Sequence, residues 1–165
     1  MSLRVIFMGV AGCGKSSVGE GVSAVLGIPY LDGDDLHPAA NVEKMRAGTP
    51  LTDADRWPWL DRVAQALADQ APVLIGCSAL KRAYRDRIRT GAGGAVRFVY
   101  LDGSRDLIAG RMAQRSGHYM PLSLLDSQFA ALEVPGPDEA FAVSIDQPLE
   151  AIIAAIAGHL RRVQG

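Results

Sequence analysis

The run Val5-Ile6-Phe7-Met8-Gly9-Val10-Ala11-Gly12-Cys13-Gly14-Lys15-Ser16 joins four apolar residues directly to the spacing G-x-x-x-x-G-K-S. The apolar part reads as a buried strand, and the glycine-rich part as a phosphate-binding P-loop that opens a helix. Glycine lets the backbone curl so that successive N–H groups turn inward onto phosphate oxygens. Lys15 adds positive charge for the β- and γ-phosphates, and the Ser16 hydroxyl is a ligand for Mg²⁺. The helix that follows directs its positive end at the same anion. The motif therefore implies a bound nucleoside triphosphate, held by Gly9, Val10, Ala11, Gly12, Cys13, Gly14, Lys15, Ser16 and Ser17. Cys13, at a helix N-terminus, is expected to carry a thiol that alkylating agents reach and MgATP protects.

Outward from this motif, strand-like and helix-like stretches alternate. Val18, Val22, Val25 and Leu26 lie at helical spacing, and Gly27 stands where that helix stops. Ile28–Leu31 reads as a second strand, 38–47 as a helix, and Thr52 with Asp55 as the capped start of another. Further strands are expected at Pro72–Ser78, Val96–Leu101 and Ala142–Ile145. Leu149, Ile152, Ile153, Ile156 and Leu160 form the apolar stripe of a closing helix. Repeated β–α units imply an α/β fold: three αβα layers around a five-stranded parallel sheet, in one domain spanning 1–165. The long irregular section, Gly117 to Asp138 around a helical patch at Leu124–Leu132, is expected to be a mobile lid within residues 111–138.

Composition narrows the class. Seventeen basic and eighteen acidic residues leave a formal charge of −1, which gives no sign of a nucleic-acid or anionic-membrane surface. No apolar run approaches the ~20 residues of a membrane span. The first strand is expected to begin almost at once, so no cleavable leader is expected. Two cysteines, Cys13 and Cys77, make no disulfide framework. A cytoplasmic location is expected. The only asparagine is Asn41, followed by Val42, so the Asn-Lys-x-Asp guanine reader of a GTPase switch is missing. The third strand ends Gly76-Cys77-Ser78, without the Walker-B aspartate of a motor ATPase. The acidic group near Mg²⁺ must then come from Asp32, at the end of the second strand. These features favour a kinase of a small polar metabolite over an ATP-binding regulatory protein; a shikimate- or nucleotide-type kinase remains the alternative enzyme.

Four further segments narrow the field. They are Leu31-Asp32-Gly33-Asp34-Asp35-Leu36-His37-Pro38, Leu51-Thr52-Asp53-Ala54-Asp55-Arg56-Trp57-Pro58-Trp59, Cys77-Ser78-Ala79-Leu80-Lys81 and Ser127-Gln128-Phe129. Together with Gly117-His118-Tyr119-Met120 they resemble the gluconate kinase (gluconokinase) family almost from end to end. The resemblance implies ATP-dependent phosphorylation of D-gluconate, with ATP/ADP and gluconate as ligands, Mg²⁺ as cofactor, a shikimate-kinase-like fold and a homodimer. It also implies that Asp146-Gln147-Pro148 supplies backbone contacts to adenine.

Residue chemistry assigns the other roles. Asp32 is expected to orient Mg²⁺, and Asp34 to hold the attacking hydroxyl and accept its proton. His37 is expected to touch the substrate, and Arg56 to offer a guanidinium fork to a sugar-acid carboxylate. Lys81 and Arg85, four apart on one helix, are expected to share a substrate-facing side. Arg111 and Arg115 stand ready to close over the ATP phosphates, Arg115 as a catalytic cation. His118 is a further candidate substrate contact. Trp57 and Trp59 read as packing residues.

Overall fold

Strand β1 (Arg4–Met8) pairs in parallel on both sides, with β3 (Val73–Gly76) from Arg4↔Val73 to Phe7↔Gly76 and with β4 (Arg97–Asp102) from Val5↔Arg97 to Met8↔Tyr100. β2 (Tyr30–Asp32) and β5 (Ala140–Ser144) form the edges, giving the order β2-β3-β1-β4-β5 with every pairing parallel. The structure is a computed structural model and describes residues 2–114 and 122–164. Its helices among these residues are α1 (Lys15–Leu26), α2 (Ala39–Arg46), α3 (Asp53–Gln70), α4 (Arg82–Gly91), α5 (Arg105–Ala113), α6 (Leu122–Ala131) and α7 (Leu149–Gln164).

Side chains leave a strand alternately to its two faces, and the sheet uses both. Val5, Phe7, Leu74, Val99 and Leu101 pack with Val18, Val22, Ile108, Leu125, Ile152, Ile156 and Leu160, beneath α1, α5, α6 and α7. Ile6, Met8, Val73, Ile75, Phe98 and Tyr100 pack on the opposite face with Leu60, Val63, Leu67, Tyr84 and Ile88 of α3 and α4. The three-layer αβα arrangement expected from the β–α alternation is the one present.

Local chemistry sets the element ends. Gly27 closes α1 in a left-handed conformation at φ 68°. Thr52 and Asp55 form a reciprocal capping box at the start of α3. The edge strands depart from the sequence expectation. Pro29 has no N–H to donate, so β2 pairs only from Tyr30, although the Pro29 carbonyl still accepts from Leu74 N–H. β5 starts at Ala140 rather than Ala142, because its register follows Phe98↔Ala140 on β4. The helical patch expected at Leu124–Leu132 is present as a regular helix, α6, over Leu122–Ala131, whose Leu125 is fully buried.

Arg85 corrects a second expectation. Lys81 is the extended residue before α4 rather than part of it, so the two cations share no face. Arg85 instead turns inward and is 1% exposed. Its Nε and Nη2 reach the Glu139 carboxylate at 3.0 and 3.2 Å, Nη1 donates to the Ala79 and Leu80 carbonyls, and Nη2 also donates to the Glu133 carbonyl. All five guanidinium donors have acceptors, which is what allows the charge to be buried. Arg85 therefore clamps the β3–α4 turn to the segment before β5 and does not reach the cleft.

Removing Arg85 takes a buried donor from the Ala79 and Glu133 carbonyls, while Glu139 keeps Arg89 Nη2 at 2.7 Å. Arg85→Met is therefore expected to lower the free energy of unfolding in urea by about 1–3 kcal/mol, the cost of leaving buried polar groups unpaired. Arg87→Met, which breaks the exposed pair with Asp61, is expected to shift it far less. Equal effects in parallel denaturation curves would refute the clamp.

Candidate active site

Because all strands run one way, their carboxyl ends share an edge, and the loops there enclose a cavity of about 270 Å³. The P-loop leaves β1 in the middle of that edge. Gly14 stands at φ 96°, a conformation that an L side chain rarely adopts, and opens α1. Gly9 N–H donates to the Ser78 carbonyl at 3.2 Å, which ties the P-loop to the turn after β3. Lys15 Nζ lies over the loop, donating to the Gly9 and Val10 carbonyls at 2.8 and 3.1 Å. The Cys13 side chain is only 2% exposed and is packed in the core. Its backbone belongs to the loop, but the expectation of a freely alkylated thiol is not met.

Opposite the P-loop, β2 ends in Asp32-Gly33-Asp34. Asp32 Oδ1 accepts from Asp34 N–H at 2.9 Å, so Asp32 both caps the short 3₁₀ turn Gly33–Leu36 and lines the cavity. Gly33 is required there: a Cβ would sit 2.4 Å from the Gly76 carbonyl oxygen. Trp59 Nε1 donates to the Gly33 carbonyl at 2.8 Å, so this buried indole packs, as expected, and also holds the turn. Burial, and secondarily the Asp32 charge, raises the Asp34 carboxyl above the ordinary range, with Lys15 opposing. Tyr30 closes the floor of the cleft and bonds to Ser16, and burial pushes its phenol to about 12. Gly19 leaves room for its ring and Gly76 for its hydroxyl, since a Cβ at either would lie 2.1 Å from the ring or the oxygen respectively.

A second cluster borders this turn. The His37 ring stacks on Trp59 with centroids 4.2 Å apart. Asn41 Nδ2 contacts His37 Nδ1 at 3.2 Å and donates to the Asp55 carbonyl at 2.9 Å. An amide donor there makes Nδ1 the acceptor and leaves the His37 proton on Nε2. Burial lowers the His37 pKa, Asp34 opposing and Arg56 assisting, so the ring is neutral near pH 7. Asp53 Oδ1 lies 3.7 Å from Arg56 Nη1 and 3.8 Å from Lys81 Nζ. Tyr84 donates its hydroxyl to Asp53, and both cations lie 5.7 Å from the Tyr84 ring centroid. Arg56 and Lys81 thus come together, two cations for one carboxylate.

A second cavity on the far side of the P-loop joins Cys13, Gly14 and Ser17 to Arg111 and Gln147. Arg111 donates to the Ile145 carbonyl. Asp146 and Pro148 flank Gln147 at the start of α7, where Asp146 N–H donates to Ser144 Oγ and the Pro148 carbonyl receives the first α7 N–H groups. Arg115 and His118 lie outside the described residues. The sequence reading passed over Asp53 and Tyr84 because neither belongs to the P-loop pattern; the capping role of the Thr52–Asp55 segment masked the former. It also gave Gln128 no individual role, although its Oε1 accepts from Ala11 N–H at 2.6 Å.

A P-loop opening onto paired carboxylates, with a cationic acceptor corner beside them, defines a small-molecule kinase. Residues 5–135 match a family model described as an AAA domain. The chain is 48% identical to the thermosensitive gluconokinase of Escherichia coli (strain K12), over 86% of this chain and 77% of that protein. It is 44% identical to the gluconokinase of Gluconobacter oxydans (strain 621H), over 95% and 90%. The crystal structure of a gluconokinase from Sinorhizobium meliloti 1021 superposes with a TM-score of 0.90 at 47% identity, covering 98% of this chain and 93% of that one. A shikimate kinase from Bacteroides thetaiotaomicron shares the fold, with a TM-score of 0.71 at 16% identity. The chain belongs to the gluconokinase family.

Lys15→Ala removes the only side-chain cation among the described residues lining the main cavity. Turnover is expected to fall by at least ~10²-fold, the loss typical of removing one group that stabilises transferring charge. The circular dichroism spectrum should be retained. Turnover near the wild-type rate would overturn the P-loop assignment.

Proposed function

We propose that this protein transfers the γ-phosphoryl group of ATP to D-gluconate, giving 6-phospho-D-gluconate and ADP. The observation that carries the proposal is the Asp34 carboxyl, in the same cavity as Lys15 and the P-loop, with the Arg56–Lys81 pair beyond His37. The acceptor's carboxylate is read by Arg56 and Lys81, whose shared partner Asp53 leaves one positive charge to be matched. Its chain of hydroxyls extends past His37 toward Asp34. Asp34 accepts the proton of the terminal hydroxyl as that oxygen bonds to the γ-phosphorus, and the bond from the γ-phosphorus to the bridging oxygen breaks to release ADP. The raised proton affinity of Asp34 strengthens it as a base.

Among the described residues no group of three or more His, Cys, Asp or Glu is arranged to hold a metal. The donors present are hard oxygens, the Ser16 hydroxyl and the Asp32 carboxylate, which suit Mg²⁺ shared with nucleotide phosphates rather than an all-protein cage. When bound, Mg²⁺ neutralises phosphate charge. Arg111 and the Asp146-Gln147-Pro148 turn serve the nucleoside side. By family likeness we take the chain as one kinase domain, homodimeric and cytoplasmic.

Asp34→Asn keeps the shape of the side chain and removes the base. We expect kcat with gluconate to fall roughly 10²–10⁴-fold, with MgATP affinity little changed. The wild-type acid limb of the pH–rate profile should lie above the ordinary carboxylate range, activity falling as Asp34 gains its proton, and this limb should vanish in the variant. Intact turnover with weakened MgATP binding would instead exchange the roles of Asp32 and Asp34.

Arg56→Lys abolishes the guanidinium fork and keeps the charge. Steady-state kinetics should show KM for gluconate raised and most of kcat spared. An unchanged KM, or ADP release with shikimate or a nucleoside monophosphate that matches the rate with gluconate, would sink the acceptor assignment.

A further inference from the structure

Gln128 lies 117 residues beyond Ala11 in sequence, yet its Oε1 accepts from the Ala11 N–H at 2.6 Å. The contact reaches into the P-loop from α6, and Gln128 lines the same cavity as Lys15, Asp32 and Asp34. It is absent from the lining of the second cavity, where Arg111 and Gln147 stand. Gln128 therefore belongs to the end of the cleft where phosphoryl transfer occurs, not to the nucleoside end.

The helix that carries it is well anchored. Leu125 is fully buried, Phe129 packs against the same core, and Arg105 Nε of α5 pairs with Asp126. Its last turn leads to Glu133, whose N–H donates to the Leu80 carbonyl at 2.8 Å and whose Oε1 accepts from Arg82 N–H at 2.7 Å. A carboxamide has one acceptor oxygen and an NH₂ with two donors. With the oxygen committed to Ala11, the amide plane is set; among the described residues Nε2 has no acceptor, and the side chain lines the phosphate cavity. Preorganised donors of this kind stabilise charge that develops on a transferring group without reorganising at the moment of reaction.

We propose that Gln128 is a catalytic residue: its Oε1 is held by Ala11 N–H, and its Nε2 donates to an oxygen of the γ-phosphoryl group during transfer. The proposal rests on the P-loop holding the nucleotide phosphates. It places a residue of α6 directly on the reacting group, and it gives that helix a chemical role beside its packing one.

Two variants separate this role from that of a brace for the loop. Gln128→Met keeps the length and removes both functions, whereas Gln128→Glu keeps an acceptor for Ala11 N–H and removes the donor. Both are expected to lose kcat by about 10²-fold, the usual cost of one donor to a developing oxyanion. In Gln128→Met, MgADP affinity by calorimetry should stay within about twofold of wild type, because ADP lacks the γ-phosphoryl group. Binding of a non-hydrolysable ATP analogue should weaken in the same variant, with the thermal midpoint unchanged. A loss under tenfold in either variant overturns the proposal. So does MgADP affinity that falls in parallel with turnover, which is the signature of a loop brace. Failure of the wild-type protein to bind MgADP would condemn the P-loop assignment itself and is read separately from these outcomes.

Discussion

Every part of the site is placed relative to β1, the one strand with both its nearest neighbours drawn from the middle of the sheet. Its register with β3 and β4 continues past the strand ends as peptide hydrogen bonds: Cys77 N–H to the Phe7 carbonyl and Gly9 N–H to the Ser78 carbonyl. The P-loop therefore cannot move independently of the turn that presents Lys81. A backbone bond exchanged for one with water contributes only about 1 kcal/mol, so the importance of these contacts lies in position. They hold two loops, far apart in sequence, at a fixed separation on the sheet's carboxyl edge.

That turn is held in a conformation it would not choose alone. Ala79 stands at φ 46°, a left-handed value that costs an L-residue about 1–2 kcal/mol. Arg85 donates to the Ala79 and Leu80 carbonyls and closes its fork on Glu139. Burying this charge is costly in itself and is offset only because every donor is matched. The same guanidinium also bonds the Glu133 carbonyl just beyond α6, so the helix bearing Gln128 and the turn bearing Lys81 share one anchor. The cation that looked like a ligand for substrate holds the cleft's walls together.

Charge in the cleft is arranged in two separate centres. Asp34 stands beside Asp32, and desolvation in the cleft with the Asp32 charge raises its proton affinity against the opposing charge of Lys15. Asp53 lies between Arg56 and Lys81, and the Tyr84 hydroxyl bond with these cations lowers its pKa. His37 lies between the centres and stays neutral because burial outweighs the pull of Asp34. One centre is suited to taking a proton, the other to matching an anion.

Much of this was legible in the residues. The P-loop spacing determined the phosphate cradle, because only that pattern of glycines, Lys15 and Ser16 performs the task within one strand–loop–helix unit. The alternation of apolar runs determined the parallel sheet, and Gly27 and the Thr52–Asp55 box determined where helices stop and start, since these signals act over a few residues. The family segments pointed to the acceptor. What the residues alone could not decide was the direction in which a long side chain turns. Arg85 and Lys81 look alike in sequence, yet one is buried on Glu139, 54 residues away, and the other joins Asp53 across two helices. Gln128 meets Ala11 only because α6 packs beside the central strands. Such contacts depend on register and burial between segments distant along the chain, and only the tertiary structure supplies those.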